Sequence, residues 1–185
     1  YVRGKWANSK KCHTSMLLAK SCHDMDIMMW MMSATKPTQI ASFGSKFQFK
    51  PENAPEGAGT ICMKDCPYVD TCVYSTKRLY IDHPDRWAFY VWDALEGKEN
   101  PTIEDKIELM KSDSPYARCI YKCDNDVVDH QSVLINFASG ATGTLNMIGG
   151  SAEPRRDIHI IGTKGEIFGN FEESKFTVLK IDPSP

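Results

Sequence analysis

The sequence predicts an α+β domain: a large, mostly antiparallel, open-faced sheet with helices on one face. Three observations predict it. Met16 to Met32 contains no Gly or Pro and repeats its apolar residues at helical spacing. From Cys119 onward the apolar period shortens to two and runs through six short segments. Ser139-Gly140 and Thr163-Lys164-Gly165 separate several of these with the glycines that tight hairpins require. A helix-rich half followed by a strand-rich half buries one sheet face under helices and leaves the other for water or a partner.

In chain order, Tyr1 to Lys5 reads as a strand entered part-way, so the chain is expected to be part of a longer one. In the helix of Met16 to Met32, Leu17, Leu18, Met25, Met28, Met29 and Met32 form one stripe. Ile27, Trp30 and Met31 lie among Lys20, His23 and Asp26 on the other side, which is therefore expected to be sheltered as well. Gln39 to Lys50 reads as a strand interrupted at Gly44 and ended by Pro51. Pro51 to Tyr74 has three prolines, two glycines, three cysteines and no period, so it is an excursion pinned by something other than packing. Ser75 to Tyr80 and Arg86 to Leu95 read as short helical pieces. Thr102 to Ser112 reads as a helix with Thr102 as its cap. The strands that follow are Cys119 to Lys122, Val127 to Phe137, Ala141 to Ile148, Arg155 to Ile161, Glu166 to Phe171 and Lys175 to Ile181. With no repeat, low-complexity tract or interior linker, residues 1–185 are expected to form one domain.

Composition narrows the function. With 185 residues, 42% of them apolar, the chain is long enough to bury a core. A net charge of -2 with no Lys/Arg run gives no footprint for nucleic acid. The longest apolar run, Ile27 to Met32, is far below the roughly 18 residues that span a bilayer. With no signal-peptide pattern either, a soluble cytoplasmic protein without a membrane partner is expected. Seven cysteines in that setting point to thiols or a metal rather than a disulfide framework.

Three groups of residues carry candidate chemistry. Lys20 and His23 stand three apart and are neighbours on a helix surface. A cation beside His23 favours the neutral imidazole that a general base needs. The alternative is that Lys20 pairs with Asp24 while His23 packs or caps. Asp26 either orients His23 or holds a backbone amide. Second, Asp124 to Gln131 runs into a strand where alternation sends Asp129 and Gln131 to one face and His130 to the other. These three either contact substrate or are solvated. Third, Cys62, Cys66 and Cys72, with Asp65, Asp70, Asp82 or His83 as a fourth ligand, suit a structural zinc, the alternative being core thiols. Cys119 and Cys123 read as strand residues. Gly57-Ala58-Gly59 precedes no helix and fails the dinucleotide fingerprint, and no nucleophile elbow or phosphate-binding loop is present.

The run Leu18-Ala19-Lys20-Ser21-Cys22-His23-Asp24-Met25-Asp26-Ile27, with Trp30 beyond it, resembles the His-x-x-Asp helix of the Gfo/Idh/MocA (glucose-fructose oxidoreductase and inositol dehydrogenase-like) family. Val2-Arg3-Gly4, Ser42-Phe43-Gly44, Pro51-Glu52-Asn53-Ala54-Pro55, Asn125-Asp126-Val127-Val128-Asp129-His130-Gln131 and Gly162-Thr163-Lys164-Gly165-Glu166 extend the likeness over nearly the whole chain. The resemblance implies the C-terminal, substrate-binding and oligomerising domain of a two-domain oxidoreductase. Its NAD or NADP would be bound mainly by an N-terminal Rossmann domain absent here. It further implies a sugar-like or polyol-like substrate, His23 as proton shuttle on a cleft that the nucleotide-carrying half completes, and a homo-oligomer formed through the open sheet face. Ala19 stands where the family often has Asp. Lys20 then polarises the substrate, or the branch runs chemistry like that of the NAD-dependent glycosidases. The competing class is a non-catalytic binding or oligomerisation module.

Overall fold

A computed structural model describes residues 2–4, 7–83 and 89–182, and the chain divides into two compact units, Tyr1–Gly149 and Gly150–Pro185. In the first unit, residues 2–4 form a turn where a strand was expected. Helix α1 (Ser9–Cys12) is capped by Asn8, whose side chain accepts the Lys11 N–H. Helix α2 (Met16–Met31) starts where Ser15 Oγ accepts the Leu18 N–H at 3.2 Å, which satisfies one of the free donors of the first turn.

The apolar stripe of α2 does what its spacing predicts. Leu17, Met25, Met28 and Met29, with Met32 just beyond the helix, pack against Val133, Ile135 and Phe137. Of the expected stripe only Leu18 is exposed. Unbranched methionines fill the irregular gaps between a round helix and a pleated sheet. The sheet beneath is antiparallel, with strands β1 (Pro37–Ser45), β2 (His130–Phe137) and β3 (Thr142–Ile148) in the order β1-β2-β3. At Gly143 on β3 an added Cβ would stand 2.7 Å from Met28 Sδ, so the lack of a side chain sets how closely α2 approaches. Strand β1 stops at Ser45, short of the expected Lys50, because the N–H groups of Phe47, Gln48 and Phe49 turn to the Asp129 carboxylate instead of a ladder.

Between β1 and β2 lie short elements: a 3₁₀ turn at Pro51–Asn53, α3 (Cys62–Asp65), a π turn at Arg78–Asp82, α4 (Phe89–Trp92), a 3₁₀ turn at Asp93–Leu95, α5 (Ile103–Lys111) and a 3₁₀ turn at Pro115–Ala117. Part of the expected helical piece at Arg86 to Leu95, residues 86–88, lies outside the described residues. Thr102 caps α5 as expected, in a reciprocal box with Asp105. The expected strand at Cys119 to Lys122 is a turn. Lys122 N–H closes on the Cys119 carbonyl, and the consecutive Cys119, Ile120 and Tyr121 are all buried around Phe49, which a two-faced strand cannot achieve.

The second unit is a meander of β4 (Asp157–Gly162), β5 (Gly165–Asn170) and β6 (Lys175–Lys180). Gly165 admits no other residue without strain: its φ is 153°, and a Cβ would meet the Leu179 carbonyl oxygen at 2.2 Å. The class is thus α+β, but two three-stranded sheets replace the single large one. The expected meander breaks at 149–156, where Gly149-Gly150, with Gly150 at φ 83°, and Pro154 interrupt the extended run. Among the described residues no helix is long and apolar enough to cross a membrane.

Candidate functional site

Seating one side of α2 on the sheet turns its other side outward. His23 and Asp26 are exposed there, Lys20 is half-buried, and Trp30 is 74% exposed. The expectation that this side would be sheltered is corrected: within this chain α2 has one covered side and one open side. Lys20, His23 and Asp26 are brought together on the open one, as their spacing of three requires.

The polar run at Asp124 to Gln131 has a different fate. Asp129 is 3% exposed, and its carboxylate accepts the N–H groups of Phe47 (2.9 Å), Gln48 (2.7 Å) and Phe49 (2.9 Å). It also faces His130 Nδ1 at 3.1 Å. Burial by itself would raise this carboxyl. The N–H groups of Phe47 and Phe49, the His130 ring and the Gln48 N–H outweigh burial and hold it below the usual carboxylate range. Beside an anionic Asp129, His130 Nδ1 is placed to donate. Around it, Asp126 accepts the Ser9 N–H (2.6 Å) and hydroxyl (2.9 Å), Asp124 pairs with Lys11, and Asn125 donates to the Phe49 carbonyl at 3.3 Å. The run is a knot that ties the N-terminal segment and the end of β1 to the start of β2.

Alternation along β2 sends the candidates to opposite faces, although Asp129, His130 and Gln131 all line one cavity at the start of the strand. Gln131 shares the α2 side with Val133 and donates to Ser42 Oγ at 2.8 Å, whereas His130 points to the opposite side with Ser132 and Leu134. A cavity of about 410 Å³ opens beside His130, and its lining brings Asp129, His130 and Gln131 together with Phe47, Ser132, Asn146 and Ile148. Ser132 Oγ donates to Asn146 Oδ1 at 2.7 Å, and Phe47 meets the His130 ring edge-on at 5.9 Å. His23 and His130 therefore belong to different faces of the first sheet. Ser132 and Asn146 were missed from sequence. The pairing of Ser132 with Asn146 across the Ser139-Gly140 hairpin was the signal that could have found them.

Cys62, Cys66 and Cys72 line one small, partly open pocket, together with Cys119 and Arg3. None of the expected fourth ligands lines it. Asp65 accepts the Ile61 N–H at 2.8 Å, and Asp70 and Asp82 face Lys77. Burial pushes the Cys72 thiol up, with Cys62 and Cys119 adding to it, against the Tyr74 backbone and Arg3, which pull it down. None of the seven cysteines forms a disulfide, and among the described residues no three His, Cys, Asp or Glu side chains are arranged to hold a metal ion. Gly57-Ala58-Gly59 leads into no phosphate-binding helix, because the four-residue α3 follows it with the Asp65 carboxylate already on the N–H of the preceding Ile61.

No protein family, no curated protein and no solved structure matches this chain.

Proposed function

We propose that this chain is the substrate-side module of an oxidoreductase acting on a sugar or polyol, working with a dinucleotide-binding domain that carries NAD or NADP. The observation that supports this reading is the two-sidedness of α2, with a Leu/Met stripe seated on the sheet and Lys20, His23, Asp26 and exposed Trp30 facing out. A helix held rigidly from behind presents these groups to a second surface, the arrangement that the resemblance to the Gfo/Idh/MocA family implies. The nicotinamide accepts or returns the hydride. His23 takes the hydroxyl proton as the carbinol carbon is oxidised and gives it back in the reverse direction. Lys20 steadies the oxygen in the place of the carboxylate that Ala19 lacks, and Asp26, one turn on, binds a further hydroxyl. The open side of the first sheet, bearing exposed Phe43, Leu134 and Ile148, is assigned to a second copy of the chain.

The test is nicotinamide reduction by the full-length protein across a panel of sugars and polyols. His23→Ala lowers turnover about 100- to 10,000-fold if the imidazole moves the proton. Turnover within a few-fold of the parent overturns the role. A second reading, a non-catalytic binding module, is favoured by the cavity at His130, where Phe47 and Ile148 offer apolar contact and His130, Ser132 and Asn146 offer hydrogen bonds. Sugar binding that is lost in His130→Ala, kept in His23→Ala and accompanied by no nicotinamide reduction selects that reading.

A further inference from the structure

We propose that the cavity beside His130 is a binding site for a flat, uncharged ring with its polar atoms at one end, an aromatic carboxamide being the simplest case. The inference goes beyond the oxidoreductase reading, since it involves neither His23 nor a nicotinamide, and it gives the cavity a ligand other than a sugar. It follows from the walls of the cavity, from the polar groups left free in it, and from its charge.

The walls suit a ring. A volume of about 410 Å³ lies within the usual range of small-molecule pockets. Phe47 and Ile148, 65% and 66% exposed, present apolar surface to it, and the His130 ring braces Phe47 at 5.9 Å. A ring entering here takes that surface out of water and packs against an aromatic side chain that is already held in place.

Most of the polar groups in the lining are engaged elsewhere. Asp129 Oδ1 accepts the Phe47 N–H and faces His130 Nδ1, and Oδ2 accepts the N–H groups of Gln48 and Phe49, so all four acceptor positions of the carboxylate are filled. The Gln48 side chain is bonded to Tyr121, and Gln131 donates to Ser42 Oγ on the α2 side. Ser132 gives its one hydroxyl proton to Asn146 Oδ1. Among the described residues, the side-chain groups left to meet a ligand are Asn146 Nδ2 as a donor, a lone pair of Ser132 Oγ as an acceptor, and His130 Nε2, an acceptor in the neutral ring whose Nδ1 donates. One donor and two acceptors are the complement of a primary carboxamide, which has one carbonyl and two N–H groups. A sugar carries hydroxyls around its whole rim, and three groups do not satisfy them.

The charge of the cavity excludes ionised ligands. No lysine or arginine lines it, so a carboxylate or phosphate meets no cation there and faces the negative charge of Asp129 behind His130. An ammonium or amidinium group finds no free carboxylate, because Asp129 has no acceptor position to spare. A charge taken out of water without a partner is costly in either case.

The test is a ligand-observed NMR titration of the full-length protein at pH 8 with benzamide, benzoate and benzamidine, three probes of nearly one shape that differ in charge, with glucose and inositol alongside. Benzamide is expected to bind with a Kd of roughly 1 mM, and benzoate and benzamidine about tenfold or more weakly. His130→Ala and Asn146→Ala should each weaken benzamide about tenfold. Asn146→Asp keeps the acceptor for Ser132 but exchanges the amide donor for an anion, so it should reverse the order in favour of benzamidine. Equal binding of the three probes, a preference of the wild type for a charged one, or no benzamide binding up to about 10 mM overturns the proposal. So does benzamide binding that survives both His130→Ala and Asn146→Ala. Glucose or inositol binding that is tighter than that of benzamide and lost in His130→Ala overturns it as well and makes the cavity a sugar site. None of these outcomes changes nicotinamide reduction, which keeps a failure here apart from a failure of the oxidoreductase reading. Asn146 is exposed, so its two variants decide the question even where His130→Ala fails to fold.

Discussion

Two short polar runs, Lys20 to Asp26 and Asp124 to Gln131, look alike in sequence and meet opposite ends in the fold. The second is consumed by the structure. Asp129 takes three backbone N–H groups and a ring nitrogen, Asp126 takes Ser9, and Asp124 takes Lys11. In the first, His23 and Asp26 stay exposed on a helix whose other side is seated on the sheet. A dense polar run therefore offers candidates only at the residues that the fold leaves exposed, and by that criterion His23 and Asp26 are the stronger candidates and Asp129 is a fastener. His130 lies between the two cases, since one nitrogen is held by Asp129 and the ring is half-exposed beside a cavity.

The sharpest way to break this contrast is through activity and stability together. Under the oxidoreductase reading, His23→Ala is expected to lower turnover by about 100-fold or more while moving the unfolding free energy by less than about 0.5 kcal/mol. A large loss of stability would place His23 among the fasteners. Asp129→Ala is the converse substitution. It strands three N–H groups at the buried junction of β1 and β2, and a loss of about 3 kcal/mol is expected in urea denaturation. A loss below about 1 kcal/mol would show that water or another acceptor replaces the carboxylate.

The same clamp sets a pH dependence. The folded pKa of Asp129 lies below its unfolded value, so its contribution to stability is fully present above the unfolded value of about 3.9 and is lost as pH falls through the folded one. Asp124, held down first by Lys11, and Asp126, held down first by the Ser9 N–H, act in the same direction. Denaturation midpoints measured from neutral to strongly acid pH should fall in that acid window. In Asp129→Asn the fall should be shallower, because the titrating group is gone.

How much of this was legible in sequence depends on whether local pattern or distant partners decide. The stripe of α2, the Thr102 cap and the β2–β3 and β4–β5 hairpins rest on residues close in sequence, and the structure has them within a residue or two of expectation, except that β2 starts at His130 and not at the expected Val127. Early termination of β1 was not legible, because its cause, Asp129, lies some eighty residues away. Nor was the turn at Cys119, because three apolar residues in a row suit a strand as well as a turn, and Phe49, around which all three are buried, lies far back in the chain. The break between the two sheets was visible as Gly149-Gly150 and Pro154, and the period of two on either side overrode it. At the candidate sites, spacing alone put Lys20, His23 and Asp26 on one side. The gathering of Cys119 and Arg3 with the other thiols needed the tertiary fold.

The smallest expected effect is also the most discriminating. Asp26→Ala and Asp126→Ala remove the same carboxylate from the same kind of polar run, at two exposed positions. Asp126 accepts both a backbone N–H and a hydroxyl from Ser9, so its loss should cost about 1 kcal/mol; these donors face water and are not stranded. Asp26 sits on the open side of α2, and its removal should change stability by less than about 0.5 kcal/mol. Under the oxidoreductase reading Asp26→Ala nevertheless raises the KM for a sugar or polyol, because it removes a hydroxyl contact, and Asp126→Ala leaves the KM alone. Equal effects of the two substitutions on both stability and KM would erase the distinction between a run that the fold consumes and one that it leaves for a ligand.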